Sequence, residues 1–323
     1  MSACAICLAV DPDDEGERYH RACLMRLFGS EHCPEINLDL RSLPKRVRTT
    51  HDRMSVSGAQ RKALLQLSAD RKQLLLAETD SSYILKPQTE RFSRLPENEH
   101  VSMCIAAGLG LRAPLFGLIW LTDDSLAYVV RRFDRSDDAP PQKRDQWDLC
   151  QLLGRPPEAK ASGSAEECAA LVSRMTVVPA KSLRQLFLLF LCSYWIGNGD
   201  LHLKNISLLD DSDGEIHLSP IYDLVCTTLY RIDHQLLRIS GRTDDLQWSH
   251  FVQFGTGACG LERTEVIATI ERLRAFEVEA GGLIDRSLLP DDYKRGYKQT
   301  LRRRTRALRD PTTAGPRGQQ PPG

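Results

Sequence analysis

Hydrophobic and polar positions alternate in short runs through the first half of the chain. Four apolar runs bounded by turn residues are QLLLA (73–77), SYILKP (82–87), PLFGLIWL (114–121) and LAYVVRRF (126–133). Such runs are typical of strands, and the turns ETDS and TDDS predict that they form two hairpins. Between the pairs, NEHVSMCIAAG (98–108) has helical periodicity and a terminal glycine. The predicted order is therefore two strands, a helix and two strands.

After a polar stretch that follows Phe133, the pattern becomes mainly helical. WDLCQLLG, SAEECAALVSRM and SLRQLFLLFLCSYWIG are typical of helices, and ISLL and IHLSP are typical of strands around the turn DDSDGE. A further helix is predicted from Glu262 to Ala280. The basic stretch from Lys294 to Arg309 favours a solvated helix face, with contact to a partner or to nucleic acid as the alternative.

The change of pattern near residue 136 predicts two lobes in an α+β protein. A chain of 323 residues with 41% hydrophobic content is long enough for two ordinary cores. We expect a Cys/His module at 1–30, a strand-rich lobe at 31–135, a helical lobe at 136–310 and a disordered tail at 311–323.

Charge and cysteine content narrow the function classes. The formal net charge is zero, from 43 basic and 43 acidic residues, so no global field attracts the chain to nucleic acid or membrane. The first residues have no signal-peptide pattern, and the longest apolar run, 186–196, is shorter than the roughly 20 residues that span a bilayer. We therefore expect a cytoplasmic protein with no membrane partner, whose ten cysteines are thiols or metal ligands.

Four residues near the N-terminus have the spacing of a small zinc site. Cys4, Cys7, His20 and Cys23 form the pattern C-x2-C-x12-H-x2-C, and Cys3His is a common tetrahedral zinc ligand set. The alternative is that Cys4 and Cys7 are unconnected thiols and that Cys23 belongs to an amphipathic helix face. The spacing alone leaves both interpretations open.

A polar cluster, GNGDLHLKN (197–205), directly follows the most apolar run of the chain. Alone, it is explained by an Asn-Gly turn whose polar side chains cap backbone groups. However, Asp200 and Asn205 have the D-x4-N spacing of a protein-kinase catalytic loop, and Asp223 follows eighteen residues later, where a kinase places a magnesium ligand. Upstream, Lys86 ends a strand and Glu99 begins a helix, as in the kinase lysine–glutamate pair.

The motifs together resemble a known family. SVSGAQRKALL, YILKP, PENEH, VVRRFDR, WDLCQLLGRPPEAK, GNGDLHLKNISLL and LSPIYDLVC occur in order from Ser55 to Cys226. This combination resembles the HipA family of bacterial serine/threonine kinases, the toxins of toxin–antitoxin pairs. The resemblance implies a two-lobed protein-kinase-like fold, with a mixed β N-lobe and a mainly helical C-lobe, and the cofactors ATP and Mg²⁺. The chain is similar to a shortened form without the N-terminal subdomain of longer HipA proteins.

The resemblance also implies roles for individual residues. It makes Asp200 the catalytic base and Asn205 and Asp223 the magnesium ligands. His202 and Lys204 are further catalytic candidates, with support of the loop as the alternative. ATP contacts are implied for Lys86, which Glu99 would hold, for the hinge residues Arg131 and Phe133, and for Ser57, Gly58, Ala59 and Gln60 in a loop over the phosphates. Ser55 and Ser57 are the implied autophosphorylation sites; the alternative is that serines suit a tight loop.

The resulting functional hypothesis is an ATP-dependent serine/threonine kinase that acts as a toxin. The resemblance implies a translation-related protein substrate, such as an aminoacyl-tRNA synthetase. It also implies antitoxin partners, among them a DNA-binding antitoxin and a separate small protein corresponding to the missing subdomain. Two alternatives are a small-molecule kinase of related fold and a degenerate kinase that serves as a non-catalytic binding module.

Overall fold

The computed structural model describes residues 3–11, 17–41, 62–78, 81–136, 142–211 and 213–313. The loop residues Ser55, Ser57, Gly58, Ala59 and Gln60 lie outside the described residues. Of the tail predicted to be disordered, Pro311–Thr313 forms a short 3-10 turn, and residues 314–323 lie outside the description. In the described part of the chain, no helix combines the length and the apolar character needed to cross a membrane.

An antiparallel sheet and one central helix build the first lobe, which we call the N-lobe. Its elements are α1 (Arg21–Phe28), β1 (Ala63–Leu67), β2 (Leu74–Leu76), β3 (Tyr83–Pro87), α2 (Leu95–Gly108), β4 (Phe116–Trp120) and β5 (Leu126–Arg131). The strand order is β2-β1-β3-β5-β4. The predicted hairpin of β4 and β5 is confirmed, with Leu118 opposite Tyr128. One face of this sheet packs on α1, whose Leu27 and Phe28 are buried.

The predicted hairpin between residues 73–77 and 82–87 is wrong. Strand β1, which the sequence pattern did not identify, lies between β2 and β3 and pairs with both of them. Leu65 of β1 is opposite Leu76 on one side and Tyr83 on the other. Because β1 offers a fully buried leucine to both neighbours, it takes the place that the turn-based prediction gave to a direct β2–β3 pair.

Helix α2 is buried on nearly all sides. It begins one turn earlier than predicted, with Pro96 in its first turn, a position that suits proline because no helical N–H is lost there. Eleven of its fourteen residues are buried, including the polar side chains of Asn98, Glu99 and Ser102. A helix this buried must provide partners for its polar groups, and those partners come from both lobes.

The C-lobe follows as a small sheet and a set of packed helices. Its elements are β6 (Gln146–Asp148), α3 (Leu149–Leu152), α4 (Ala165–Met175), α5 (Pro179–Ile196), β7 (Ser207–Asp210), β8 (Ile216–Leu218), α6 (Trp248–Gln253), α7 (Arg263–Ala275), α8 (Glu277–Arg286) and α9 (Asp291–Ala307). The sheet order is β6-β7-β8, and the predicted β7–β8 hairpin is confirmed. Helix α5 is the core of the lobe, with Phe187, Phe190 and Trp195 almost fully buried.

Two predicted helices of the C-lobe need correction. The first residues of WDLCQLLG form β6 instead of a helix, and α3 starts only after Asp148, whose side chain caps it by accepting the backbone N–H of Gln151. The helix predicted from Glu262 to Ala280 is two helices, α7 and α8, that meet at Phe276. Phe276 packs against Gly108 at the end of α2, a distant contact that no local pattern shows.

The basic stretch from Lys294 to Arg309 is only partly a solvated helix face. Arg302 and Arg303 of α9 are exposed, as predicted, but Arg304 is 4% exposed. Its guanidinium donates hydrogen bonds to the backbone oxygen of Tyr194 and to Asp233, and it lies 4.6 Å from the centre of the Tyr194 ring. The prediction is therefore wrong for Arg304, which joins α9 to the end of α5.

Candidate active site

The polar segment 197–205 follows α5 directly. Two positions in it, 197 and 199, can be occupied only by glycine without strain or steric conflict. Gly197 ends the helix in the left-handed region, with φ of 81°, where side chains other than glycine are strained. A Cβ on Gly199 would lie 2.4 Å from the backbone oxygen of His234. The segment therefore turns sharply and runs close to neighbouring backbone, which a polar surface turn does not need.

Hydrogen bonds from C-lobe side chains fix the first half of this segment, from Gly197 to Asp200. The backbone N–H of Gly199 donates to Thr227 Oγ1 at 2.8 Å, and Thr227 donates to the oxygen of Gly197 at 3.0 Å. The N–H of Asp200 donates to the side chain of Asn198 at 3.0 Å. The backbone before and at Asp200 is thus held by side chains that are themselves fully buried.

The side chains of Asp200, His202 and Asn205 are all nearly buried, at 4%, 4% and 3% exposure. Within the described residues, neither the amide nitrogen nor the amide oxygen of Asn205 has a hydrogen-bond partner. A buried amide without partners is costly, by about 1–3 kcal/mol for each group. The Asn205 oxygen is therefore available to a ligand such as a cation, and its burial makes that role favourable.

Two lysines and two carboxylates form a compact cluster opposite this segment. Lys86 at the end of β3 lies 2.5 Å from Glu99 Oε1 on α2 and also contacts Asp223 Oδ1 directly. Lys62, just before β1, lies 3.3 Å from Asp223 Oδ2. The side chains of Lys86, Glu99 and Asp223 are all less than a tenth exposed, whereas Lys62 is 36% exposed. Formal charges within the cluster sum to zero.

The cluster shifts the pKa of each buried member. Burial lowers the pKa of Lys86, but the carboxylates of Asp223 and Glu99 outweigh it, so the pKa lies above its usual value and Lys86 stays charged. Burial raises the pKa of Asp223, but Lys62 and Lys86 outweigh it and hold the pKa well below its usual range. For Glu99, burial raises the pKa by more than the charge of Lys86 lowers it, so the pKa lies above its usual value. Asp223 is therefore the firmly ionised carboxylate of the pair.

The backbone at Asp223 is also unusual. Its φ is 57°, in the left-handed region that few residues other than glycine adopt, although Asp is among the more tolerant. Strained backbone of this kind persists where the surroundings enforce it, and it clusters at functional sites. Nearby, Asn98 of α2 holds the following turn by accepting the N–H of Cys226 at 2.8 Å and donating to its oxygen at 3.0 Å.

Residues from both groups line one cavity of about 700 Å³ between the lobes, although Asp200 and Glu99 are not among its lining residues. Its lining includes Lys62, Lys86 and Asp223 on one side and His202, Lys204 and Asn205 on the other. The volume lies in the range of small-molecule and cofactor sites, about 300–1,000 Å³. The cavity therefore offers cations, a carboxylate and an amide to a single ligand.

Lys204 contacts protein groups as well as the cavity. Its ammonium lies 2.7 Å from Asp148 Oδ2 at the end of β6, and its backbone oxygen accepts the Tyr222 hydroxyl at 2.8 Å. Tyr222 precedes Asp223, so the 203–205 turn and the Asp223 segment are joined directly. This geometry gives Lys204 a supporting contact in addition to the catalytic role suggested for it by the sequence.

The two hinge residues of the sequence hypothesis are placed differently. Arg131 ends β5 and its N–H donates to the oxygen of Leu115 at 2.8 Å, while the N–H of Arg132 donates to Ser82 at 2.8 Å. Phe133 follows the strand, lines the cavity and lies 5.8 Å from the Tyr222 ring between ring centres. Both Arg131 and Phe133 line the cavity, but the backbone N–H of Arg131 is already bonded within the sheet.

Lys62, Asp148 and Tyr222 are among the residues of this site that sequence reasoning missed. Asp148 had a detectable signal, because Asp148 and Gln151 have capping-box spacing. Tyr222 stands next to Asp223, but only the fold shows its bond to Lys204. The sequence around Lys62 has no distinctive spacing, and its contact with Asp223 could be found only from the structure.

The four predicted zinc ligands come together at a separate place. The ligand atoms of Cys4, Cys7, His20 and Cys23 all lie within 4.8 Å of one another. They pack against the outer side of the N-lobe, where the backbone oxygen of Ala5 accepts the N–H of Leu118 in β4. This cluster does not line the cavity between the lobes.

A strand-rich lobe, a helical lobe and a cavity between them define a two-lobed protein-kinase-like fold. The chain belongs to the family described as HipA-like C-terminal domain, whose model matches residues 54–280. This stretch includes Lys86, Asp200, Asn205 and Asp223.

Two relatives with curated names are similar over the same part of the chain. Y4mE of Sinorhizobium fredii, named as a kinase, is 35% identical over 185 residues, which are 55% of this chain and 43% of that protein. A Haemophilus influenzae protein, also named as a kinase, is 32% identical over 187 residues, or 55% of this chain and 54% of that protein. The chain thus spans about half the length of the curated relatives it matches.

Two solved structures show the same fold. One is the HipA, HipB and operator DNA complex of a Shewanella oneidensis toxin–antitoxin system, with a TM-score of 0.66 and 21% identity, covering 83% of this chain and 67% of that chain. The other is the Helicobacter pylori proinflammatory kinase CtkA, with a TM-score of 0.54 and 14% identity, covering 76% of this chain and 93% of that chain. At these identities the likeness concerns the fold.

Proposed function

We propose that this chain is an ATP- and Mg²⁺-dependent serine/threonine protein kinase that acts as the toxin of a toxin–antitoxin pair. One observation carries the kinase proposal. Lys86, which Glu99 holds, and Asp223 line a single cavity together with His202, Lys204 and Asn205, on a chain of the HipA-like family. Phosphoryl transfer depends on such an arrangement, because positioning and charge compensation supply nearly all of its catalysis.

Lys86 is the proposed phosphate ligand. Glu99 on α2 holds its ammonium group. The second carboxylate that contacts Lys86 is Asp223, which lines the cavity. Phosphate oxygens would replace Asp223 on Lys86, and this exchange would release the Asp223 carboxylate for a cation. Lys62, which pairs with the other Asp223 oxygen, would supply a second positive charge to the phosphates.

Asn205 and Asp223 are the proposed magnesium ligands. The donor set suits the ion, because Mg²⁺ prefers carboxylate and carbonyl oxygens, and the buried oxygen of Asn205 has no partner among the described residues. When bound, Mg²⁺ would supply positive charge that neutralises the charge developing on the phosphates. For the adenine, Phe133 is the favoured hinge residue, because the N–H of Arg131 is already used.

Asp200 is the proposed catalytic base. Its carboxylate would orient the acceptor hydroxyl and accept its proton as the hydroxyl oxygen bonds to the γ-phosphorus and the bond to ADP breaks. The hydrogen bond from Asp200 N–H to Asn198 and the steric limit at Gly199 fix the backbone from which it acts. Preorganisation of this kind lowers the cost of reaching the transition state.

Serine residues of this chain are proposed as one substrate. Ser55 and Ser57 precede Lys62, which places their loop close in sequence to the cavity. A phosphate on either serine would add about two negative charges next to the phosphate site and weaken ATP binding. The residues Ser57, Gly58, Ala59 and Gln60 would otherwise cover the ATP phosphates.

The cellular role is proposed from the family. We propose a translation-related protein, such as an aminoacyl-tRNA synthetase, as the target. The Shewanella structure holds HipA with HipB and operator DNA, which supports a DNA-binding antitoxin as a partner here. A separate small N-subdomain-like protein is the second proposed partner.

The test is transfer of label from γ-labelled ATP, with magnesium, to proteins of a cell lysate, followed by phosphosite mapping. We expect the wild-type chain to label serine or threonine in a target and in its own 55–57 segment. Asp200→Ala should abolish transfer but keep nucleotide binding, and Asp223→Ala should lose magnesium-dependent binding.

Asp213→Ala is the matched control, because Asp213 is exposed on the β7–β8 turn of the same lobe. It should retain wild-type transfer. Wild-type turnover by Asp200→Ala would contradict the assignment of the base. Label found only on small molecules would contradict a protein substrate, and equal phosphate on Ser55 and Ser57 in the Asp200→Ala protein would exclude self-modification.

A further inference from the structure

A cysteine- and histidine-rich module covers the outer side of the N-lobe, away from the cavity. It consists of residues 3–11, a second segment from residue 17, and α1. Its cysteines, Cys4, Cys7 and Cys23, are all free thiols in the structure. The kinase proposal uses none of them, so their convergence needs an explanation of its own.

Distances within the cluster match the edges of a metal tetrahedron. Cys7 Sγ lies 3.5 Å and Cys23 Sγ lies 4.0 Å from His20 Nδ1, and all four ligand atoms lie within 4.8 Å of one another. Zinc–sulfur bonds of about 2.3 Å and zinc–nitrogen bonds of about 2.0–2.1 Å, at tetrahedral angles, put sulfur and nitrogen ligands roughly 3.6 Å apart. One ion at the centre would therefore reach all four atoms with small adjustments.

Local backbone presents these ligands on two fixed turns. The first turn closes through hydrogen bonds between Cys4 and its neighbours: Leu8 N–H to Cys4 oxygen and Cys4 N–H to Ala9 oxygen, both 2.9 Å. On the second, His20 precedes α1 and Cys23 stands in the first turn of that helix. The N–H of His20 also donates to Cys4 Sγ at 3.3 Å, a contact that stabilises a thiolate ligand.

The loop between the first two cysteines is bonded to helix α2. The backbone oxygen of Ile6 lies 3.0 Å from His100 Nε2 and 3.8 Å from the Cys104 thiol. His100 directly follows Glu99, the partner of Lys86. The cluster of three cysteines and one histidine is thus connected to the Lys86–Glu99 pair through one loop and one helix.

The Cys4–Ala9 turn, which includes this loop, contacts two further elements. The oxygen of Ala5 accepts the N–H of Leu118 in β4 at 2.9 Å, and the oxygen of Leu8 accepts Arg286 Nε of α8 at 2.7 Å. Ala5 and Leu8 are buried in the main core. An ion that fixes the loop would therefore fix the outer packing of α2, β4 and α8 together.

We propose that Cys4, Cys7, His20 and Cys23 bind one structural zinc ion, which holds this module against α2 and so stabilises the position of Glu99. A closed set of four protein ligands is characteristic of structural sites, since catalytic zinc keeps an open position. Binding energy at such a site contributes directly to folding of the module.

The first measurement is the metal content of the full chain, purified without chelator. We expect about one zinc per chain in the wild type and below about 0.2 in Cys7→Ser. Cys33→Ser is the matched control, because Cys33 packs on the same side of the N-lobe but is outside the ligand set. It should retain the metal.

Two measurements on the wild type keep the proposal testable if Cys7→Ser does not fold. Cobalt exchanged into the protein should give the absorption bands of a tetrahedral thiolate site. Thiol titration of unfolded, chelated protein should find all ten cysteines reduced. Wild-type protein without zinc and without cobalt bands would overturn the proposal, as would a titration two thiols short, which would indicate a disulfide in its place.

Hydrogen exchange tests the connection to α2. Removing zinc from the wild type with a chelator should accelerate amide exchange in residues 95–108 and leave α5 unchanged, because the Ile6 oxygen contacts His100 and Cys104 of α2. Unchanged exchange in residues 95–108 after zinc loss would overturn the proposed effect on Glu99. None of these measurements depends on kinase activity, so their failure and that of the proposed function are distinguishable.

Discussion

Removing the Lys86 charge should destabilise the chain, and removing Glu99 as well should restore part of the loss. Lys86→Met deletes a buried cation that contacts both Glu99 and Asp223. Glu99 is then a buried carboxylate without its ion-pair partner, while Asp223 keeps Lys62 at 3.3 Å. Adding Glu99→Gln removes the carboxylate that lost its partner, so the double variant should be more stable than Lys86→Met alone.

The expected losses in the free energy of unfolding follow from the burial of the Lys86–Glu99 ion pair. Breaking a buried ion pair by removing one partner costs about 3–5 kcal/mol. We expect about 3 kcal/mol for Lys86→Met, at the lower end, because Lys62 still compensates Asp223 and because burial already raises the pKa of Glu99 towards protonation. Glu99→Gln alone should cost about 1 kcal/mol, since Lys86 keeps Asp223, and the coupling between the two sites should be about 2 kcal/mol.

Urea unfolding of the four proteins at neutral pH, without nucleotide, measures these free energies. Glu97→Gln is the control, because Glu97 is equally buried on α2 but pairs with Arg94 instead of Lys86. It should combine with Lys86→Met additively. If Glu99→Gln lowered the stability of Lys86→Met further, the cluster would not be the coupled unit that its geometry indicates.

Two further substitutions test the backbone and the α9 contact. Gly199→Ala should lower the free energy of unfolding by more than about 1 kcal/mol, because its Cβ would lie 2.4 Å from a backbone oxygen. The control is Gly281→Ala in α8, where a Cβ would have no neighbour within 4 Å. This change should raise the free energy of unfolding by about 0.5–1 kcal/mol. Equal effects of the two changes in a thermal or urea assay would contradict the steric reasoning. Arg304→Met should cost about 1–3 kcal/mol, because it removes a buried donor from the Tyr194 oxygen and from Asp233, which would keep Gly197 N–H and Arg303, respectively. Arg302→Met, at an exposed position, should stay within about 0.5 kcal/mol. A small loss for Arg304→Met would show that water replaces its contacts.

Local sequence signals predicted those elements whose partners are close in the chain. The β4–β5 and β7–β8 hairpins follow from two apolar runs around a turn, and α5 follows from a long apolar run that ends at Gly197. The pairing of β1 with both β2 and β3 could not be predicted, because the choice of strand neighbour depends on contacts distant in sequence. The break at Phe276 has the same origin, since its partner Gly108 belongs to the N-lobe.

The residues of the candidate site likewise fall into those that the sequence predicted and those that only the fold reveals. Spacing alone directed attention to Asp200, Asn205 and Asp223, because one short loop and one hairpin determine their separation. The contacts of Lys62 with Asp223 and of Asp148 with Lys204 join residues far apart in sequence, and only the fold brings them together. For the cysteine cluster, spacing indicated the ligands, but their convergence depends on how the two turns pack on the N-lobe.

Helix α2 explains how these separate parts are held in one arrangement. On one side Glu99 holds Lys86, and next to it Asn98 bonds both backbone groups of Cys226, three residues after Asp223. On another side His100 bonds the loop of the cysteine module. Three successive residues of one helix therefore contact the phosphate-binding candidate, the turn that follows the magnesium-binding candidate Asp223, and the proposed zinc module. Because a helix turns about 100° per residue, three successive side chains point in different directions, and α2 can be buried among all three only if each provides a polar partner.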